Sequence, residues 1–580
     1  MKTGIHRHRN ALIIGLLLLG HTLASAQTKA AKIDALIRQY ADNKQFNGTV
    51  LVAEKGQVLF KKGYGMANME WNVANTPDTK FRLGSITKQF TAMLIMQLVE
   101  QGKLKLAEPI STYLPDYPKA TGGRITVHQL LTHTAGLPNY TNFPKFFETV
   151  SREPFTPTEF LKKFQDMPLE FEPGSKFSYS NSGYFLLGVL IEKVTGKPYA
   201  QVLQEQILTP AQLRDTGYDL FAPIMPKRAT GYEKDKGKII NASYLDMSIP
   251  YAAGSLYSTV EDLYKWDRAL YGEKLLSSAG KAIMFTPVKE GYAYGWGVGN
   301  TKVGERKDSV FIISHGGGIN GFNTDIARVP QDKQLVVLLN NTGRAPLNDM
   351  RRNILRILYD QPVQAPKTPI ADLLRASVIA DPVATVRQKF AGWKANKAYK
   401  LNEQEINALG YELMQGKKLP EAIAVFTLNA EAFPASYNVY DSRGEAYMAA
   451  GDKAAAIRDY KKSVELNPGN TGGMAKLGEL GEKVVMPTKT ATAIDTAILA
   501  SYVGEYQLAP SFSINVSREA NRLFAQATGQ EKFEIFAKSD TEFYYKVVEA
   551  QISFEKNEKG NVSGLVLHQD GQNIPGKRVR

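Results

Sequence analysis

Ser85 and Lys88 stand three residues apart in the run PheArgLeuGlySerIleThrLys, residues 81–88. On a helix that spacing puts both side chains on one face, a turn apart. A lysine ammonium is costly to bury, and the positive end of a helix dipole adds to the cost. Both effects favour the neutral amine, which is a base. A base beside a hydroxyl is what an activated serine nucleophile needs. The spacing recurs at Ser278 with Lys281 and at Ser553 with Lys556, but neither pair opens a long apolar helix. The plain alternative is an ordinary helix start with a snorkelling lysine.

The elements around this pair follow from periodicity. Phe90, Met93, Leu94 and Leu98 recur at helical spacing, and Ile95, Met96 and Val99 carry the apolar surface almost all the way round. The pattern predicts a buried helix over 81–102, with Ser85 as cap or first-turn residue and Gly102 at its end. Residues 28–45 read as an amphipathic helix, and 48–64 as a hairpin around Lys55-Gly56. Short helices are expected over 125–131 and 154–167, the first followed by the loop ThrHisThrAlaGlyLeuPro, 132–138. Pro173-Gly174 signals a turn; Tyr184, Leu187, Gly188, Leu190 and Ile191 then start a helix running to Gly196. Tyr179-Ser180-Asn181 is thereby placed on a loop just before a buried helix, where turn chemistry is the plain reading. A further helix begins near Thr259, with Glu261 and Asp262 in its first turn. Strand-like runs cover 291–299, 309–314 and 334–340, and the second leads into His315-Gly316-Gly317-Gly318. A glycine triplet there predicts a sharp turn or a close approach to the backbone; the plain readings are a strand-end histidine and a loop.

With 580 residues the chain is long enough for about three domains. Residues 1–26 read as a signal peptide: Lys2, Arg7 and Arg9 precede an apolar core over 11–20 and the cleavage motif Ala24-Ser25-Ala26. That run is too short to favour a membrane span, so the mature protein is expected in the periplasm or secreted, with no transmembrane span. The absence of cysteine excludes disulfides, thiol nucleophiles and thiolate metal sites. The net charge of +14 is spread without a long basic run, which argues for a solvated basic surface rather than nucleic-acid binding. The four histidines beyond the signal, at 128, 133, 315 and 568, show no metal-ligand spacing, so no metal or other cofactor is called for. No Gly-x-Ser-x-Gly elbow and no phosphate-binding loop is present.

A proline-rich linker is read at 361–369 and a second linker at 486–496. They divide the mature chain into 27–360, a helical region 370–485, and a small all-β domain 497–580 whose strand-like runs alternate aromatic and polar residues. In the helical region Gly410, Ala422, Phe426 and Pro434 recur as Gly444, Ala456, Tyr460 and Pro468, each offset by 34. This period resembles a pair of tetratricopeptide repeats, about 403–436 and 437–470. They read as a structural appendage or as a groove for a protein partner.

Taken in order, SerIleThrLys 85–88, TyrSerAsn 179–181 and HisGlyGly 315–317, with 130–138 and 252–258 between them, resemble the serine β-lactamase and penicillin-recognising enzyme superfamily. The closest likeness is to its class C β-lactamase-like branch of esterases and D-amino-acid peptidases. The resemblance implies an α/β fold, a β-lactamase/transpeptidase-like antiparallel sheet flanked by helices with a helical lobe and the site between them. It implies Ser85 as the acylated nucleophile, Lys88 as the group that deprotonates it, and Tyr179 as general acid/base, its phenolate favoured by Lys88. Asn181 would hold the substrate amide or the lysine, and His315, Gly317 and Gly318 would bind substrate. The N–H groups of Ser85 and Gly318 would form the oxyanion hole, and a side chain on the glycines would crowd the substrate. The expected substrate is a small ester, amide or D-residue-containing peptide, with a peptidoglycan-derived ligand within that range. The sequence departs from the β-lactamases at His315, where they carry a lysine. A histidine is only partly cationic near neutral pH, which marks down β-lactam hydrolysis. A β-lactamase proper and a catalytically silent envelope binding protein using its tail are the alternatives.

Overall fold

The computed structural model describes residues 28–482, 496–509, 512–528, 530–545, 550–557, 560–569 and 572–579. The signal segment and all of the second linker except Thr496 lie outside them. The described residues fall into two compact units, one running to Arg375 with Ala391–Leu401, the other Ala376–Phe390 with the residues from Asn402 onward.

The first unit is built on a six-stranded antiparallel sheet. Its strands, in spatial order, are Gly297–Lys302, Ser309–Ile319, Phe322–Val329, Gln334–Asn340, Gly48–Glu54 and Gln57–Tyr64. The 48–64 hairpin turns on Lys55 and Gly56, both at positive φ, as the sequence suggested. Strand Gln334–Asn340 is buried along its whole length and feeds two cores. Leu335, Val337 and Leu339 face the core shared with the helical lobe, whereas Val336 and Leu338 face the helices 28–42 and Leu347–Leu358.

The helix Thr87–Glu100 crosses the first core with every residue from Thr87 to Leu98 buried. Its polar side chains find partners, although Gln89 Nε2 and Gln97 Oε1 are left without one among the described residues. Thr87 Oγ1 accepts from the Leu256 N–H at 3.1 Å, Thr91 Oγ1 donates to Ala252 O at 2.6 Å, and Gln89 Oε1 accepts from Trp266 Nε1 at 3.1 Å. Asn181–Thr195 packs beside it and ends at Gly196 in the left-handed conformation.

One expectation is narrowed and another corrected. Ser85 is not a cap but a first-turn residue: it lies in a 3₁₀ turn, Gly84–Ile86, that runs straight into the helix Thr87–Glu100. The run 315–318 is not a turn; strand Ser309–Ile319 continues through it in register with Phe322–Val329. Strand Phe322–Val329 was not expected at all, and the 291–299 run is a strand only from Gly297.

In the second unit the two repeats are helix pairs, Glu403–Gln415 with Leu419–Ala432 and Tyr437–Ala449 with Lys453–Leu466, followed by Thr471–Glu479. The recurring residues meet: Gly410 lies against the Phe426 ring, and Gly444 lies against the Tyr460 ring. The C-terminal strands from Gly504 to Arg578 close into an eight-stranded antiparallel barrel filled by Tyr502, Tyr506, Phe543 and Phe554.

Candidate active site

Gly84 turns the chain from the short strand Phe81–Arg82 into the helix carrying Lys88, at φ +56°. A Cβ on it would stand 2.8 Å from the Gly318 nitrogen, so this glycine lets the serine turn and the third motif lie backbone to backbone. The three glycines of that motif differ. A Cβ on Gly317 would fall on Leu83 O, which also accepts from Thr324 Oγ1 at 2.7 Å; a Cβ on Gly318 would meet no protein atom. Gly317 is therefore required by packing within the protein, and only Gly318 opens onto the cleft.

Lys88 is fully buried, and its Nζ lies 3.0 Å from Ser85 Oγ, 2.9 Å from Asn181 Oδ1 and 2.8 Å from Ala253 O. Burial pushes its pKa well below that of an ordinary lysine. The Asn181 oxygen and the Ala253 carbonyl can only accept, so in the neutral form of the amine, which burial favours, they take its two N–H bonds. The lone pair is left facing the one neighbour that can donate, the Ser85 hydroxyl. Asn139 sets the orientation of Asn181: its Oδ1 accepts from the Asn181 backbone N–H at 3.1 Å and from Nδ2 at 3.3 Å.

Tyr179 joins this group. The Lys88 Nζ sits over its ring, 4.9 Å from the centroid, and not at the phenol oxygen. Burial raises the phenol above its usual pKa, and a hydrogen bond from the Ser85 side pulls only weakly the other way. Burial thus works against the expected phenolate and favours the phenol form of Tyr179.

His133 was not singled out from the sequence, although it stands inside the quoted loop 132–138. It is buried, at φ +56°, and grips the tyrosine loop at three points. Its carbonyl accepts from Ser178 N–H at 2.9 Å, its Nδ1 accepts from Ser180 N–H at 3.1 Å, and its ring lies 4.2 Å from that of Tyr179. Tyr292 was also missed. Its hydroxyl lies 2.9 Å from His315 Nε2, while His315 Nδ1 lies 2.6 Å from Gly316 O. Burial, then the nearby Lys88, hold His315 down to about 4, so it is neutral rather than partly cationic at neutral pH.

A cleft of about 660 Å³ opens on the Gly318 and Asn181 side of Ser85. Its walls include Phe146, Phe147, Leu245, Ile249 and Phe322, with Arg344 at the rim. Among the described residues no cluster of acidic and histidine side chains could hold a metal ion.

The Beta-lactamase family profile matches residues 33–360. The chain belongs to the beta-lactamase family. A tetratricopeptide repeat profile matches 437–470, and a domain of unknown function, DUF3471, matches 488–578. The chain is 30% identical over 341 residues to a putative penicillin-binding protein, PbpX, of Bacillus subtilis, covering 58% of this chain and 81% of that one. It is 31% identical over 255 residues to a teichoic acid D-alanine hydrolase of Staphylococcus aureus, covering 44% and 60%. Among solved structures, FmtA from Staphylococcus aureus superposes with a TM-score of 0.50 at 27% identity, covering 58% of this chain and 90% of that one.

Proposed function

We propose that this beta-lactamase family member is an exported serine hydrolase that works through an acyl-Ser85 intermediate. The observation that carries the reading is Lys88: a fully buried amine whose two N–H bonds are taken by obligate acceptors, and whose lone pair meets Ser85 Oγ at 3.0 Å. In the first step Ser85 Oγ attacks the substrate carbonyl as its proton passes to Lys88. The oxyanion forms between the N–H groups of Ser85 and Gly318, worth about 3 kcal/mol each to the transition state. Tyr179, a phenol at rest, donates its proton to the leaving group, and His133 keeps that ring in place as a positioning residue. Water then attacks the acyl-serine, giving up a proton to the Tyr179 and Lys88 pair, and the acid departs from a regenerated serine.

Asn181 holds Lys88, and the 660 Å³ arm of the cleft takes the acyl group. The staphylococcal relative named for D-alanine hydrolysis supports a D-aminoacyl ester or amide as substrate. Export rests on the signal read over residues 1–26. The test is hydrolysis of a chromogenic D-alanyl ester by the chain from residue 27 onward, beside Ser85→Ala. Loss of turnover by at least about 10⁴-fold in the variant is expected. Equal turnover in both proteins, or none in either, contradicts the reading, and the second result favours the envelope binding protein. Steady β-lactam turnover would instead mark a β-lactamase proper.

A further inference from the structure

The Tyr292–His315 pair carries an inference about substrate choice. Tyr292 is buried, and its backbone bridges to Gly297, which pairs with Ser314; the strand edge thus brings the phenol beside the next residue, His315. Gly316 O can only accept, so His315 Nδ1, 2.6 Å away, carries the ring hydrogen. Nε2 of the neutral ring is then a lone pair, and the Tyr292 hydroxyl, 2.9 Å away, is the donor within its reach, with the Tyr184 oxygen as a second acceptor for the same hydrogen. The neighbouring phenol, Tyr184, spends its hydrogen on Leu131 O at 2.8 Å. Both nitrogens of His315 are therefore occupied, and the ring offers no N–H to a substrate. The groups facing it are Lys88, His133, Tyr179 and Tyr292, with no carboxylate among them to favour a cation. Lys88 as a neutral amine has spent its own N–H bonds, and Arg344 is exposed at the rim of the cleft.

We propose that Tyr292 is a specificity-determining residue: by capping His315 Nε2 it makes the leaving-group side of the site reject a carboxylate. The site thereby selects esters and amides whose departing group is neutral or cationic. This rests on the acyl-Ser85 reading. A carboxylate held there would lose its water without gaining a donor.

The experiment compares two D-alanyl esters that differ only in the departing alcohol, glycolic acid or glycolamide. The ratio of their kcat/KM values is followed from pH 5 to pH 8 in the wild type, Tyr292→Phe and His315→Lys, with Ser85→Ala as the blank. The wild type should favour the amide by about tenfold or more at every pH. Tyr292→Phe removes the phenol that caps Nε2 while burial and Lys88 still oppose a proton there, so its ratio should move toward the acid by about fivefold only at the acid end of the range. His315→Lys should favour the acid throughout the range. Tyr292→Met removes the same donor and replaces the phenylalanine variant if that one does not fold. A wild-type ratio near one, or a ratio in the Tyr292 variants that matches the wild type at every pH, overturns the proposal. Turnover persisting in Ser85→Ala would instead overturn the acyl-serine reading, so the two failures are distinguishable.

Discussion

Lys88 is fully buried, and burial lowers its pKa. If it is the base, protonating it removes the lone pair that faces Ser85, so kcat/KM must fall as the pH drops through the depressed lysine pKa. Tyr179 is raised above the ordinary phenol value of 10.0, so no alkaline decline from it should appear below pH 10. A pH profile of ester hydrolysis checks both limbs; a fall centred near 10 would assign Tyr179 an ordinary phenol. Lys88→Ala should cost about 10²–10⁴-fold in kcat. The two glycines separate packing from chemistry. Gly317→Ala drives a methyl onto Leu83 O and should destabilise the fold by about 1–3 kcal/mol in denaturant unfolding. Gly318→Ala meets no protein atom and should unfold within about 0.5 kcal/mol of wild type while turnover drops. Ser85, Lys88 and Tyr179 were legible in the sequence because each stands beside a local pattern, an apolar helix or a turn. His133 and Tyr292 were not, because their partners are 47 and 23 residues away along the chain.

The strand Phe322–Val329 explains what periodicity misses. It reads as polar because Asn323, Thr324, Asp325 and Arg328 interrupt it, yet each of these side chains has a tertiary task. Asn323 Nδ2 donates to Ala345 O, Thr324 to Leu83 O, Asp325 pairs with Arg351, and Arg328 Nε donates to Asp267 Oδ1 at 2.8 Å. The last pair is buried on both sides and ties the helix Val260–Ala269 to the sheet behind the site. Asp267→Asn would leave Arg328 buried beside a neutral partner and should cost about 3–5 kcal/mol, read as a lower denaturant midpoint. The hairpin Tyr232–Asp235 with Lys238–Asn241 was also missed, although Lys236-Gly237 at positive φ is the same signal recognised at Lys55-Gly56. By contrast the helix start near Thr259 was read correctly, and the Thr259 side chain caps it, accepting from Asp262 N–H.

Every residue of the candidate site lies in the first unit, and the tetratricopeptide pair and barrel lie in the second. The 34-residue period was legible because one glycine and one aromatic per repeat meet in the same way. The barrel was legible only as alternation, since closure depends on the pairing of its first and last strands, Gly504–Ala509 with Gln572–Arg578. A chain ending at Leu401 should keep its hydrolysis of a small ester, measured as kcat/KM beside the full chain; loss of activity with an intact fold would place part of the chemistry in the second unit. Among the described residues no helix is long and apolar enough to cross a membrane.

The most direct measurement is the covalent intermediate itself. Acid quenching during turnover of a D-alanyl ester, followed by trypsin, isolates the peptide LeuGlySerIleThrLys, residues 83–88. The account predicts that this peptide gains the mass of one alanyl group on Ser85, and that Ser85→Ala shows no adduct anywhere in the chain. Turnover with the adduct on another residue, or undiminished turnover in the variant, would contradict it.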